Sequence, residues 1–214
     1  MATSDNFVIT ISRQVGAGGA AIGTKLASEL NVFFADRDIL RSAALKLSAA
    51  EEDLEHREES LLSFWHSLFK TLPQTDTFIL PPVARALEYT DEELFNVEKN
   101  IILDIAERNS AVILGRCGNY VLRDHPKHIR IFLHADKDYR IHRIMDLYDL
   151  QHDEATEMIE KTDKQRGSYY KTFTGTDWTQ ATNYDLTINT GKTGPEKAVQ
   201  LILAYIKQRE DLGI

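Results

Sequence analysis

The sequence predicts an α/β fold, a five-stranded parallel sheet sandwiched by helices, and three observations carry that prediction. Five short apolar runs alternate with helical ones along 214 residues, the rhythm of parallel strands joined by helical crossovers. The first run leads straight into a glycine-rich turn and a helix start, Ile9-Thr10-Ile11-Ser12-Arg13-Gln14-Val15-Gly16-Ala17-Gly18-Gly19-Ala20-Ala21-Ile22-Gly23. The runs end in polar residues, and ligands of open parallel sheets sit at the carboxyl ends of the strands. Those ends supply Arg13, Asp36, Arg116, the residues after His134, and Asn189.

In chain order, Phe7 to Ser12 reads as the first strand, and Ala20 to Leu30 as a helix with Ile22, Leu26, Ala27 and Leu30 on one face. Val32 to Ala35 reads as a short strand running into Asp36. Asp38 to Leu47 is expected to be helical, and Glu51 to Lys70 an acidic helix striped by Leu54, Leu61, Leu62, Trp65 and Leu68. The segment Thr71 to Pro82 holds three of the five prolines and reads as a loop. Asp91 to Asn109 is a long helix opened by a capping box, Thr90-Asp91-Glu92-Glu93. Ser110 to Leu114 and Ile129 to His134 are further strands. A charged helical region runs from Ala135 to about Lys171, then Tyr184 to Asn189 forms a last strand and Pro195 to Arg209 a closing helix.

Composition narrows the function. A formal charge of -8 argues against a protein whose task is wrapping nucleic acid. The single cysteine, Cys117, excludes an intrachain disulfide and a cysteine zinc site, and the histidines show no H-E-x-x-H pattern, so no metal site is expected. No basic-then-apolar leader opens the chain and no apolar run approaches the ~18 residues that span a bilayer. The expectation is a cytoplasmic protein with small-molecule nucleotides as partners, no nucleic acid or membrane, and a homo-oligomer left open.

The glycine turn carries most of the chemistry. Glycines at 16, 18 and 19 let the chain turn and let a phosphate approach its N–H groups, and the following helix start adds its dipole. Against the pattern G-x-x-x-x-G-K-[ST], Arg13 stands at the first glycine, Gly19 at the lysine and Ala20 at the Mg²⁺-binding hydroxyl. The cradle is present and its charged parts are not. The same residues also satisfy G-x-G-x-x-[GA], with Asp36 about where a dinucleotide fold keeps its ribose-binding acid, so a dinucleotide-dependent oxidoreductase stays open as an alternative.

A strand Val112-Ile113-Leu114 followed by Gly115-Arg116 resembles the V-x-x-G-R-D segment of cytidylate kinases, and the loop is similar to that family's I-S-R-x-x-G-S-G-G. Further matches are Phe34-Ala35-Asp36, Lys161-Thr162-Asp163-Lys164-Gln165-Arg166, Tyr169-Tyr170 and Asn183-Tyr184-Asp185-Leu186, so the resemblance to the cytidylate kinase-like family covers roughly residues 7 to 206. It implies one P-loop nucleotide-kinase domain over 1–214, with a helical acceptor-binding insertion at 36–108 and a lid at 137–172. It implies ATP-dependent phosphoryl transfer, with Mg²⁺ and ATP, to a nucleoside monophosphate, CMP or dCMP first. Gly16, Ala17, Gly18, Gly19 and Ala20 would then cradle the nucleotide. Arg13, Arg116 and Arg166 would act on the transferring group, and Asp36, Arg41, Arg116 and Asp185 would bind the acceptor.

Departures from the family pattern are equally plain: the loop lysine and hydroxyl are missing, and Cys117 replaces the aspartate after Gly-Arg. A nucleotide-binding sensor or partner protein without catalysis is therefore the second reading. Arg140 and Arg143, spaced i, i+3, read as surface partners of Asp136 or Asp146. Ser12 and Asp36 are the nearest candidates for assisting Mg²⁺. His66, His125, His128, His134, His142 and His152 read as scattered surface or strand-end residues.

Overall fold

The computed structural model describes residues 6–36, 40 and 90–209. The chain divides into two compact units, one of Met1–Asp36 with Ile102–Ile214 and one of Arg37–Ile101. The helices expected between Asp38 and Lys70, with Arg41, lie outside the described residues. In the second unit, the expected capping box is formed at the start of a helix: Thr90 N–H donates to Glu93 Oε2 at 2.9 Å, and Glu93 N–H donates to Thr90 Oγ1 at 3.2 Å.

The first unit holds five parallel strands, β1 (Val8–Arg13), β2 (Phe33–Ala35), β3 (Ala111–Leu114), β4 (His128–His134) and β5 (Leu186–Asn189), in the order β2-β3-β1-β4-β5. The described helices are α1 (Gly19–Leu30), α2 (Asp91–Arg108), α3 (Gly118–Val121), α4 (Lys137–Tyr148), α5 (His152–Thr174), α6 (Thr190–Thr193) and α7 (Pro195–Lys207). The parallel sheet and its helices match the predicted fold class. The strand order removes the dinucleotide alternative: β3 lies between β1 and β2, whereas β2 lies beside β1 in the dinucleotide fold. The charged region expected as one helical stretch is two helices, separated where Asp149 turns left-handed at φ 53.

Alternation along the strands sorts the two faces of the sheet. Ile9 and Ile11 of β1 and Ile129, Ile131 and Leu133 of β4 face one way, and pack with Ile22 and Leu26 of α1 and Ile202 and Ile206 of α7. Each such side chain, fully buried, stabilises by about 1.5–3 kcal/mol. The residues between them, Thr10 and Ser12 of β1 and His128 and Phe132 of β4, alternate onto the opposite face. There Thr10 Oγ1 and His128 Nε2 lie 2.8 Å apart, and Phe132 stacks on Tyr184 with ring centroids 5.0 Å apart. His128, the first residue of β4, is a strand-end residue as expected, but a buried one, and burial pushes its imidazole down to about 4.

Register brings the strand ends to one edge. Ile11 pairs with Leu114, Arg13 with Leu133 and His134 with Asn189. Helices α4 and α5 build a small core of their own from Ile141, Ile144, Ala155 and Ile159, and Val15 of the glycine turn packs against it.

Candidate phosphate-binding site

Beyond Arg13 the chain turns at Gly16 (φ 80) and Gly18 (φ 78), both in the left-handed region that glycine enters without penalty. Gly16 is also crowded, since a Cβ there would lie 2.9 Å from both the Cβ and the carbonyl oxygen of Arg140. Gly18 caps α1 with no side-chain help. The first bond of the helix runs from Ile22 N–H to Gly18 C=O at 3.0 Å, so the amides of Gly18, Gly19, Ala20 and Ala21 precede the intrahelical ladder. They are oriented as anion donors at the positive end of the helix dipole.

The turn is held in place by an ion pair between buried Arg140 and half-buried Asp163. Asp163 Oδ1 accepts from Val15 N–H at 2.9 Å, while Arg140 Nη1 donates to Val15 C=O at 3.2 Å and to Asp163 Oδ2 at 2.5 Å. Arg140 Nε donates to Ala135 C=O at 3.2 Å, which completes the grip. The peptide groups flanking Val15 are thus fixed from α4 and α5 together. This corrects the surface reading of Arg140, because Asp136 is engaged instead by Lys192 at 3.2 Å.

Arg143, one helical turn along α4, is not a surface ion pair either. Its Nη2 lies 3.5 Å and its Cζ 3.6 Å from where a Cβ on Gly18 would stand. Its Nε is buried without a hydrogen-bond partner, and among the described residues the side chain makes no ion pair. A guanidinium carries five donors and is never deprotonated. This one is laid over the phosphate cradle.

Arg13, Arg116 and Arg166 come to the same edge. The Arg13 side chain passes over the Cα atoms of Gly19 and Gly115, and its carbonyl accepts from Arg166 Nη1 at 3.0 Å. The Arg116 guanidinium lies 5.4 Å from the ring centroid of Tyr169, three residues after Arg166 on α5. Gly115, Arg116 and Cys117 are all left-handed, with φ of 81, 52 and 55, and this turn is what aims Arg116 away from the strand.

The remaining candidates separate. Ala17 is buried and Ala20 exposed, and Ala20 has no hydroxyl to offer. Asp36 follows β2 and is half-buried. Asp185 stands one residue before β5, level with Arg130 and three residues below Arg13, or roughly 10 Å at the ordinary strand rise. Arg130 donates to it through Nη2 at 2.6 Å, Nε at 3.1 Å and the backbone N–H at 2.8 Å. Burial alone would raise the Asp185 carboxyl; the bonds and charge of Arg130 outweigh it and hold it below the usual carboxylate range. Asp185 thus serves the sheet through Arg130. Arg41 lies outside the described residues.

The turn fits a polyphosphate: it offers backbone donors, room at Gly18 and a cation above it. A resident metal is less well provided for. Among the described residues no three His, Cys, Asp or Glu side chains gather, and Ser12 is buried at the end of β1. Nor is any helix among them long and apolar enough to cross a membrane.

A model of the cytidylate kinase-like family matches residues 8–192. A cytidylate kinase of Archaeoglobus fulgidus is 25% identical over 209 residues, which cover 94% of this chain and 96% of that protein. Among solved structures, an uncharacterized protein from Eubacterium ventriosum aligns with a TM-score of 0.71 at 24% identity, over 95% of this chain and 100% of the other. A gluconokinase from Sinorhizobium meliloti aligns with a TM-score of 0.52 at 12% identity, over 96% and 93%. The two structures speak for the fold.

Proposed function

Because this chain belongs to the cytidylate kinase-like family, we propose that it transfers the γ-phosphoryl group of ATP, bound with Mg²⁺, to a small acceptor, CMP or dCMP first. The choice of acceptor follows the likeness to the protein named cytidylate kinase. The observation that supports transfer most directly is Arg143, a cation beside the phosphate cradle that makes no ion pair among the described residues.

In this reaction an oxygen of the acceptor's phosphate bonds to the γ phosphorus as the bond from that phosphorus to the β,γ-bridging oxygen breaks. ADP leaves with the electron pair. A phosphate acceptor brings no proton to remove, so the protein's task is positioning and positive charge. The amides of Gly18 to Ala21 receive the donor phosphates, Arg143 and Arg166 offset the charge on the transferring group, and Arg116 holds the acceptor's phosphate. Mg²⁺ would arrive with the nucleotide held by the amides of Gly18 to Ala21, would supply positive charge to its phosphates, and would need few direct protein ligands.

The test is a coupled assay of ADP release with Mg²⁺ and ATP against CMP, dCMP, UMP, AMP and the non-nucleotide acceptors gluconate and shikimate. The expected result is the highest kcat/KM with CMP or dCMP. Turnover confined to a non-nucleotide acceptor would overturn the substrate. Tight ATP binding with no turnover on any acceptor would replace transfer by the second reading, a nucleotide-binding sensor, which Gly19 and Ala20 at the lysine and hydroxyl positions favour.

A further inference from the structure

Gly19 stands where a phosphate loop keeps its lysine, and its backbone does not explain why it is glycine. Gly19 is the first residue of α1 and has an ordinary negative φ, a position any residue can take. Space explains it. A Cβ on Gly19 would lie 2.7 Å from Arg13 Cγ, 3.2 Å from its Cβ and 3.3 Å from its Cδ. Any side chain at 19 would begin inside the stem of Arg13. At the other end of that stem, a Cβ on Gly115 would collide with Arg13 Nη1 and stand 3.3 Å from its Cζ. Two glycines, one opening α1 and one in the turn after β3, therefore flank the path along which Arg13 runs.

We propose that Arg13 and Gly19 are a matched pair: Arg13, reaching in from the end of β1, supplies the nucleotide-phosphate cation that a residue at 19 would otherwise supply from the start of α1, and Gly19 is glycine to let it through. The guanidinium ends beside Gly115, between the cradle at Gly16 to Ala20 and the turn that carries Arg116. That is the gap two phosphates would share. A fork of planar donors can span two phosphate groups where a lysine ammonium is a single point of charge. The loop has moved its cation from helix to strand. Its ligand, a nucleotide phosphate, rests on the function proposed above, but the interlock of Arg13 with Gly19 does not.

The experiment is a double-mutant cycle with two independent readouts. Calorimetric titration with ATP and Mg²⁺ compares wild type, Arg13→Gly, Gly19→Lys and the double variant. Each single substitution is expected to weaken ATP by at least ~10-fold, of the order of one lost charge-assisted contact, and the double variant to recover most of that loss. A double variant no tighter than the weaker single would overturn the exchange of cations. The second readout needs no ligand. Gly19→Ala should lower the melting temperature of the wild-type chain and raise it in the Arg13→Gly background, where alanine is simply the better helix residue. The same sign in both backgrounds would overturn the interlock. Wild-type protein that binds no ATP, while the melting temperatures still show the interlock, would overturn the nucleotide as ligand and leave the pair as packing.

Discussion

Two arginines show how differently the ends of the sheet are built. Arg130, in β4, meets one carboxylate, that of Asp185, through three donors. Arg143, over the carboxyl edge, has a buried Nε with no hydrogen-bond partner and, among the described residues, makes no ion pair. The chain carries a formal charge of -8, so acids were not in short supply. A guanidinium left uncompensated in such a protein marks where an anion is to be received, and a compensated one marks where the fold is being held.

The comparison can be broken at its strongest point first. Arg140→Ala removes the buried partner of the pair that grips Val15 and leaves half-buried Asp163 without its cation, so it should destabilise by about 3 kcal/mol. Urea unfolding measures this; a loss below ~1 kcal/mol would mean that the turn is held by its own glycines.

Acid should act next, through His128. His128 titrates near 4 in the folded protein and near its ordinary 6.5 when unfolded, so the unfolded chain takes up the proton first. Stability is full above about 6.5 and falls as the pH is lowered toward 4, by at most about 3 kcal/mol. His128→Gln should flatten that part of the stability profile. An unchanged slope would remove His128 from the buried network.

Arg143→Ala should then cost about 10²-fold in kcat/KM for ATP, the size of a lost transition-state contact, with the melting temperature unmoved. A fall in melting temperature with unchanged ATP kinetics would put Arg143 on the side of Arg130. The smallest effect is expected of Arg130→Ala. That pair is partly exposed, at 33% and 18% of the side chains, so roughly 1–2 kcal/mol of stability should go while kcat/KM stays within about twofold.

The sequence disclosed the sheet because its strands are short apolar runs that alternate or stay buried, and it disclosed α1 through its apolar stripe. Helices α3 and α6 are single turns of four residues, too short for any period to register. The glycine cradle was visible for the same local reason: it is contiguous. What holds the cradle was not. Arg140 and Asp163 are 23 residues apart on different helices, and their meeting depends on the reversal at Asp149. The i, i+3 spacing of Arg140 and Arg143 directly after a strand end was the available signal, and a surface pairing was the reading given to it. Asp185 shows the converse, since a motif match points at the residue and says nothing of Arg130 lying opposite.

The three left-handed residues at Gly115, Arg116 and Cys117 bear on which substitutions this chain can survive. Outside glycine, asparagine and aspartate enter that conformation most readily, and β-branched residues least. The aspartate of the resembled motif after Gly-Arg is one of the favoured types, so Cys117 holds this conformation at more strain than an aspartate would. In a deep mutational scan scored only for folded protein, valine and isoleucine at 116 and 117 should be depleted alongside the core. Intolerance there would be a record of chain geometry, and reading it as a record of catalysis would be a mistake.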